Sequence, residues 1–284
     1  MILSFHPCIT ADRQVILGSR TPDRGDGVLA ASADAVLLPQ TCPEALFRLC
    51  REAGARCFPS YDLRFAYPGK TGQTRLFRER RLPHPETRIW KSLRSLEEAA
   101  RAGSLPHQPP FLLKTDADHE GRGVRRIEDA EGLKSALYDL MHRRGKSGEP
   151  ALTQDLIPTG GNVLRAVILG HRVHTYWKRV NEGESFSATI SRGARIDAFW
   201  REDLQERGRK LALEIHRGLG LNLAALDMVF DMESPDPDPR ILEINYAFGR
   251  RGLGGSELYY RLLFEAVCEW VEENGLDSTS LGLV

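Results

Sequence analysis

AALDMVFD at residues 224–231 and RILEINYAFG at 240–249 are two apolar runs of alternating polarity, separated by an acidic, proline-rich stretch at 232–239. Alternation of this kind reads as two strands, and the prolines and aspartates between them as a long hairpin loop. Side chains two apart on a strand share a face. Glu243 and Asn245 therefore point one way while Leu242 and Ile244 point the other, and Asp227 opposes Leu226 and Met228 in the same manner. A loop centred near Pro235 and Asp236 brings Asp227 close to Glu243 and Asn245. Two carboxylates and an amide oxygen on a sheet floor are hard donors suited to Mg²⁺, which takes one or two carboxylates and lets substrate phosphates complete its octahedron. That points to ATP. The same trio on the solvent face of an ordinary hairpin would hold nothing, so the rest of the chain has to decide.

The chain has 284 residues, with 39 basic and 39 acidic side chains and no formal net charge. Its length fits roughly two compact units. Balanced charge argues against a dedicated nucleic-acid or membrane-surface protein. No apolar run approaches the ~18–20 residues of a membrane span. The opening MILSFHPCITADR lacks a basic region and a cleavage site, so secretion is not expected. Cys8, Cys42, Cys50, Cys57 and Cys268 form no CxxC pair and no zinc spacing. Such an odd set suits reduced thiols in the cytoplasm.

Along the chain, residues 1–5, 34–38 and 56–58 read as strands. Between the last two lies a helix opened by a Thr41/Glu44 capping box, carrying Ala45, Leu46, Leu49 and Cys50 on one face and ending at Gly54. Strand, helix and strand with short connections is the parallel-sheet signature. A helix over 71–80, a strand over 86–90, a helix over 95–102 capped by Ser95 and Glu98, and a strand over 111–114 follow. A helix over 128–143 precedes a strand over 151–156. Residues 163–180 read as a hairpin turning at Gly170-His171, then a helix over 199–219 leads to the acidic hairpin. A last helix covers 256–274.

Gly69-Lys70-Thr71 looks like the end of a P-loop, but the first glycine of that motif would fall on Arg64. No GxGxxG follows a strand, which removes a nicotinamide site. The stretch FLLKTDADHEGRGV is more telling. A strand lysine, Lys114, is a fixed positive charge for phosphate oxygens, and Gly121 and Gly123 let backbone N–H groups approach an anion closely. Arg122 between them adds a charge-assisted contact. A plain hairpin with glycines at its turn is the competing reading.

The order of these parts resembles the ATP-grasp superfamily, in particular the branch of the ribosomal-protein-modifying glutamate ligase and glutathione synthetase. The likeness covers about residues 65–265, carried by KTDADHEGRGV and by the pairing of Asp227 with Glu243-x-Asn245. It implies an α/β (α+β) fold of two subdomains gripping ATP, after a small Rossmann-like domain. The three parts would span 1–88, 89–158 and 159–284. By the same resemblance, Lys70 and Lys114 contact the phosphates, and the loop with Glu120, Gly121, Arg122 and Gly123 closes over them. Gln154, Asp155, Leu156 and Ile157 form the hinge that reads adenine through its backbone. Asp227, Glu243 and Asn245 hold one or two Mg²⁺, with Mn²⁺ as a substitute. Arg165 and Arg179 face the transferred phosphate, and Arg192 lies near the acceptor. The resemblance is also compatible with a homodimer.

The chain departs from that branch at Thr189, Val163 and Phe248, where relatives carry an asparagine, an acid and, in many cases, a proline. The nucleotide half is thus matched more closely than the acceptor half. Arg250 and Arg251 either bind a carboxylate or solvate a loop. His6, His84 and His119 read as surface or loop residues rather than bases. The leading expectation is an ATP-dependent carboxylate–amine ligase working through an acyl phosphate on small-molecule or peptide substrates. A small-molecule kinase on the same fold, and an ATP-binding protein without turnover, are the alternatives. Strand ends near residues 4–7 and 39–41 would face the carboxylate substrate, since α/β sheets bind ligands at their carboxyl ends.

Overall fold

The computed structural model describes residues 1–116, 123–143, 145–180 and 194–284. The chain begins with β1 (Ile2–Ser4), β2 (Ile9–Thr10), β3 (Arg13–Gln14), α1 (Arg24–Ala31), β4 (Ala35–Leu37), α2 (Glu44–Glu52), β5 (Cys57–Phe58), α3 (Asp62–Ala66) and α4 (Gly69–Glu79). Strands β3, β1, β4 and β5 lie side by side and parallel. Parallel neighbours need crossover connections, and α1 and α2 supply two of them. Helix α1 escapes the sequence reading because its apolar face is weak. Its start is nonetheless well made: Asp23 accepts from the Gly25 and Asp26 N–H groups, and the Asp26 carboxylate accepts from Asp23 N–H. Helix α2 corrects the expected Thr41/Glu44 box. Pro43 holds the N-cap position without a side-chain cap, and Cys42 N–H is turned back to the Pro39 carbonyl at 3.0 Å.

Next come β6 (Thr87–Trp90), α5 (Leu93–Arg101), β7 (Phe111–Thr115), β8 (Val124–Ile127), α6 (Ala130–Tyr138) and β9 (Ala151–Asp155). They form an antiparallel sheet in the order β6-β9-β7-β8. Helix α5 is capped by Ser92 and Ser95 rather than Ser95 and Glu98, so it starts earlier than expected. Helix α6 runs into a π-helical turn at Asp139–Arg143. This sheet has its own core, built from Leu93, Leu96, Phe111, Leu113, Leu133 and Leu137.

The remaining elements are β10 (Val163–Leu169), β11 (Arg172–Arg179), β12 (Arg195–Asp197), α7 (Glu202–Leu219), β13 (Leu223–Val229), β14 (Arg240–Asn245), α8 (Ser256–Glu273) and β15 (Gly282–Leu283). Strands β12-β11-β10-β13-β14 make the largest sheet, antiparallel throughout. The β10–β11 hairpin turns at Gly170-His171, with Leu169 opposite Arg172. Gly170 has φ +58°, as a two-residue hairpin turn requires. Helix α7 begins at Glu202, later than expected. The Asp197 carboxylate takes the Phe199 and Trp200 N–H groups, both at 3.0 Å, and Arg201 turns left-handed.

Two cores sandwich the large sheet. On one face Leu164, Leu226 and Ile244 pack with Leu204 and Ile215 of α7, and with Leu3, Val36, Leu76 and Phe77 of the N-terminal part. On the other, Val167 and Ala225 meet Tyr259, Leu263 and Val267 of α8, along with Leu37 and Phe58. The free edge of β14 is covered by α4, whose Gln73 bonds both the N–H and the C=O of Ile244, at 2.8 and 2.9 Å. The N-terminus of α4 is tied to β7, because Asp116 accepts from Thr71 N–H at 2.7 Å. Among the described residues no helix is long and apolar enough to cross a membrane.

Candidate functional site

Strand pairing aligns four side chains in one row across the large sheet. Tyr176 of β11 faces Arg165 of β10, Arg165 faces Asp227 of β13, and Asp227 faces Glu243 of β14. A bulge follows, so that Met228 meets Ile241, while Asn245 lies opposite Ala225 on the same face as Glu243. The structure thus brings the three oxygen-bearing side chains together. Asn245 Nδ2 lies 3.1 Å from Glu243 Oε1 and 3.4 Å from Asp227 Oδ2.

Asp227 is buried, and its charge is met by two cations. Arg165 grips it with Nε to Oδ1 at 2.8 Å and Nη2 to Oδ2 at 2.7 Å, and Lys178 Nζ reaches Oδ2 at 2.7 Å. Burial alone would raise its pKa, but Lys178 and Arg165 outweigh burial and hold the carboxyl well below the usual range. Arg165 feels the converse: burial disfavours its charge, and Asp227 more than restores it. The Tyr176 hydroxyl beside them is buried with no hydrogen-bond partner among the described residues, and burial raises its pKa.

Two further lysines converge on this floor. Lys114 of β7 donates to Gln154 Oε1 at 2.6 Å, and Lys70 of α4 donates to the Thr115 carbonyl at 3.1 Å. Burial lowers the Lys114 pKa to about 8, with Glu243 opposing and Lys70 reinforcing the shift. Lys114 is thus within electrostatic reach of both Glu243 and Lys70. A half-buried lysine poised between charged and neutral states is suited to an incoming anion.

The residues expected as a hinge, Gln154 to Ile157, are more committed to hydrogen bonds than the sequence suggests. Gln154 spans Lys114 and Thr87 Oγ1, the latter at 2.8 Å. Asp155 donates its N–H to the Glu86 carbonyl, and its carboxylate accepts from His107 Nδ1 at 2.7 Å. The Ile157 carbonyl accepts from Thr159 N–H. Among the described residues, Leu156 alone of these four keeps both backbone polar groups open. Gly123 accepts from Thr115 N–H at 2.9 Å. Glu120, Gly121, Arg122, Arg192 and His119 lie outside the described residues.

Arg179 requires a correction. Its strand alternates, so it lies on the face of Trp177, opposite Lys178. There it pairs with Asp197 at 2.9 Å and stacks 4.2 Å over the Trp200 ring. Arg165 and Arg179 therefore do not converge. Lys178 is the second cation beside Asp227, a position the sequence reading does not single out although the Gly170-His171 turn places residue 176 opposite 165 and so puts 178 on that face. His6 lies in a loop, as one of the two expected alternatives has it, but is buried there, and burial, aided by Arg250, lowers its pKa to about 4.

A family model described as the RimK-like ATP-grasp domain matches residues 70–257. The chain belongs to the RimK-like ATP-grasp family. A probable alpha-L-glutamate ligase of Histophilus somni (strain 2336) is 30% identical over 139 residues, which cover 49% of this chain and 44% of that protein. The chain thus spans less than half the length of this relative. Among solved structures, the RimK domain ATP-grasp protein of Sphaerobacter thermophilus DSM 20745 superposes with a TM-score of 0.54 at 18% identity, covering 89% of this chain and 94% of the other. D-alanine–D-alanine ligase of Bacillus anthracis gives 0.59 at 16% identity, over 93% and 90%. These likenesses fix the fold as ATP-grasp, with the three sheets described above as its frame.

Within this RimK-like ATP-grasp frame the donor set can be tested for a hard cation. Among the described residues no three His, Cys, Asp or Glu side chains gather as a metal cage. The site instead offers Glu243 and the amide of Asn245, with Asp227 Oδ2 already receiving three donors. Glu243 and Asn245 fit a Mg²⁺ that takes most of its oxygens from phosphates and water. Asp227 fits better as the anchor that holds Arg165 and Lys178.

Proposed function

We propose that this chain is an ATP-dependent carboxylate–amine ligase. The observation that carries the reading is the grouping of Glu243 and Asn245 on one sheet face, with Lys114 within electrostatic reach of Glu243 and Lys70 beside Lys114, ammonium groups delivered by two separate elements. In this reading Lys70 and Lys114 hold the phosphate oxygens of ATP, and the open backbone of Leu156 reads the adenine edge. Glu243 and Asn245 would hold a divalent ion, which when bound supplies charge neutralisation between the phosphates. Arg165 is kept in one orientation by its two bonds to Asp227, leaving Nη1 to face an anion. A substrate carboxylate takes the γ-phosphoryl group, and Arg165 and Lys178 stabilise the charge that develops on it. An amine then displaces phosphate, forming an amide. Preorganised cations suit this chemistry because the Asp227 contacts fix them before the substrate arrives.

The names of the relatives, glutamate ligase and D-alanine–D-alanine ligase among them, support an amino acid or peptide as the carboxylate or amine partner. The test is ATP turnover with pairs of amino acids and dipeptides, followed by mass spectrometry of the product. A ligase yields an amide and free phosphate, whereas a kinase leaves the phosphoryl group on its acceptor. Glu243→Gln is expected to abolish ADP formation while circular dichroism is unchanged. Undiminished ADP formation by that variant would remove the assignment.

A further inference from the structure

Next to the nucleotide floor lies a cluster of cations that the reading so far leaves unused. Gln40 follows β4, at the carboxyl end of the parallel sheet, and is 9% exposed. Its Oε1 accepts from Tyr259 hydroxyl at 3.3 Å, while Nε2 has no partner among the described residues. Arg64 stands on one side of it. Its guanidinium lies 4.9 Å over Tyr61 and 4.8 Å over Phe65, with one long hydrogen bond (3.4 Å) from Nη1 to the Gln40 carbonyl. Arg250 is linked to Gln40 through Tyr259, lying 4.8 Å over that ring and 4.4 Å over Tyr260, with Nη1 3.4 Å from Ser256 Oγ. Tyr259 joins the two halves, since its hydroxyl bonds Gln40 while its ring lies beneath Arg250. Among the described residues no acid pairs with either arginine.

These features adjoin the phosphate floor. Arg250 follows the strand that carries Glu243 and Asn245, and Gly252, two residues on, packs so tightly on the Tyr176 ring that a Cβ there would fall 2.1 Å from it. The turn at 250–252 therefore lies over the Tyr176–Arg165–Asp227 row. Tyr246, one residue past Asn245, meets Tyr61 edge-on at 6.2 Å.

We infer that Arg64, Gln40 and Arg250 form a carboxylate-recognition subsite, which holds an acidic group of the ligase substrate beside the phosphoryl-transfer floor. A buried amide with unspent N–H donors and two guanidiniums held over aromatic rings offer the charge-assisted donors that suit a carboxylate better than a neutral group. The stacking holds the forks in place, so little side-chain freedom is lost on binding. This inference rests on the ligase reading and names the chemistry of one of its substrates.

The test is calorimetric titration of the protein loaded with ADP and Mg²⁺, using L-glutamate, L-aspartate, L-alanine and glutarate, each compared with the amide of the same carboxylate. At least one acid is expected to bind and its amide not to. Arg250→Met and Arg64→Met keep the apolar stem for packing and are expected to weaken acid binding about tenfold or more, from loss of a charge-assisted bond. Arg250→Lys should recover part of it. Gln40→Glu, nearly the same shape, should abolish acid binding by offering the arginines an internal carboxylate. ADP affinity should be unchanged in all four variants. Equal binding of acid and amide, no binding of any of the four acids, or variants that bind as the wild type does would each overturn the inference. Failure of ADP itself to bind the wild type would overturn the ligase reading and this one with it, whereas ADP binding without acid binding overturns this one alone.

Discussion

Asp227 is the residue on which the site's charge balance turns. Replacing it by Asn leaves Arg165 and Lys178 buried without a counter-charge, and breaking a buried pair in this way costs about 3–5 kcal/mol. Urea unfolding at neutral pH should report that loss. Because Lys178 and Arg165 depress the carboxyl in the folded state against the pull of burial, its contribution is complete above the unfolded value near ~3.9 and is lost as pH falls toward the folded one. The stability gap between wild type and Asp227→Asn should therefore narrow in acid. Lys114 gives a second titration. Lowered to about 8 mainly by burial, it should regain its proton when nucleotide phosphates arrive. Calorimetry of ADP binding at pH 8 in two buffers of different ionisation enthalpy should show proton uptake, and Lys114→Met should remove it. In the sequence, Asp227, Glu243 and Asn245 are legible as one cluster because the bulge lies on the far side of Glu243, so that alternation still holds from Glu243 to Asn245 and pairs them with Asp227 and Ala225. The exchange of Arg179 for Lys178 was a missed parity: both are basic, adjacent and equally plausible until the hairpin turn is used to count faces.

At the level of elements, the joint between α4 and β14 holds the helix that carries Lys70 against the strand that carries Glu243. Gln73 serves there as a substitute strand, completing both bonds of Ile244. Gln73→Leu should cost about 1–3 kcal/mol through two unsatisfied backbone groups, and faster hydrogen exchange at the Ile244 amide is the direct readout. Unchanged exchange would mean that the edge is protected by something else. This joint could not be read from sequence, since a glutamine on a helix face carries no signal of what it meets. The β10–β11 hairpin could be read, because Gly170-His171 fixes both turn and register. Helix starts are less legible. Ser92-x-x-Ser95 and Ser95-x-x-Glu98 are both sound capping patterns, and packing of Leu93 and Leu96 into the small sheet's core selects the first.

The whole molecule is held by cores of unequal reach. Leu3, Val36 and Leu76 share one core with Leu164 and Leu226, so the N-terminal part and the large sheet are built to unfold together. The small sheet, from β6 to β9, keeps its apolar contacts largely to itself, which makes it the natural unit of sub-global opening. Hydrogen exchange should separate the strands at 87–90, 111–115 and 151–155 from those of the large sheet by a lower opening free energy. Saturating ADP should raise protection at 111–115 most. A single exchange class across both sheets would contradict this division. The first boundary expected from sequence, after residue 88, cuts into β6, because Thr87 already pairs with Gln154. One further result follows from the seam between β7 and α4. Gly69 has φ +69°, and a Cβ there would come 2.7 Å from the Asp116 carboxylate that caps the helix. Gly69→Ala would therefore push the Asp116 carboxylate off the Thr71 N–H and strain a left-handed backbone at the same point, loosening the seam that joins the two lysine-bearing elements.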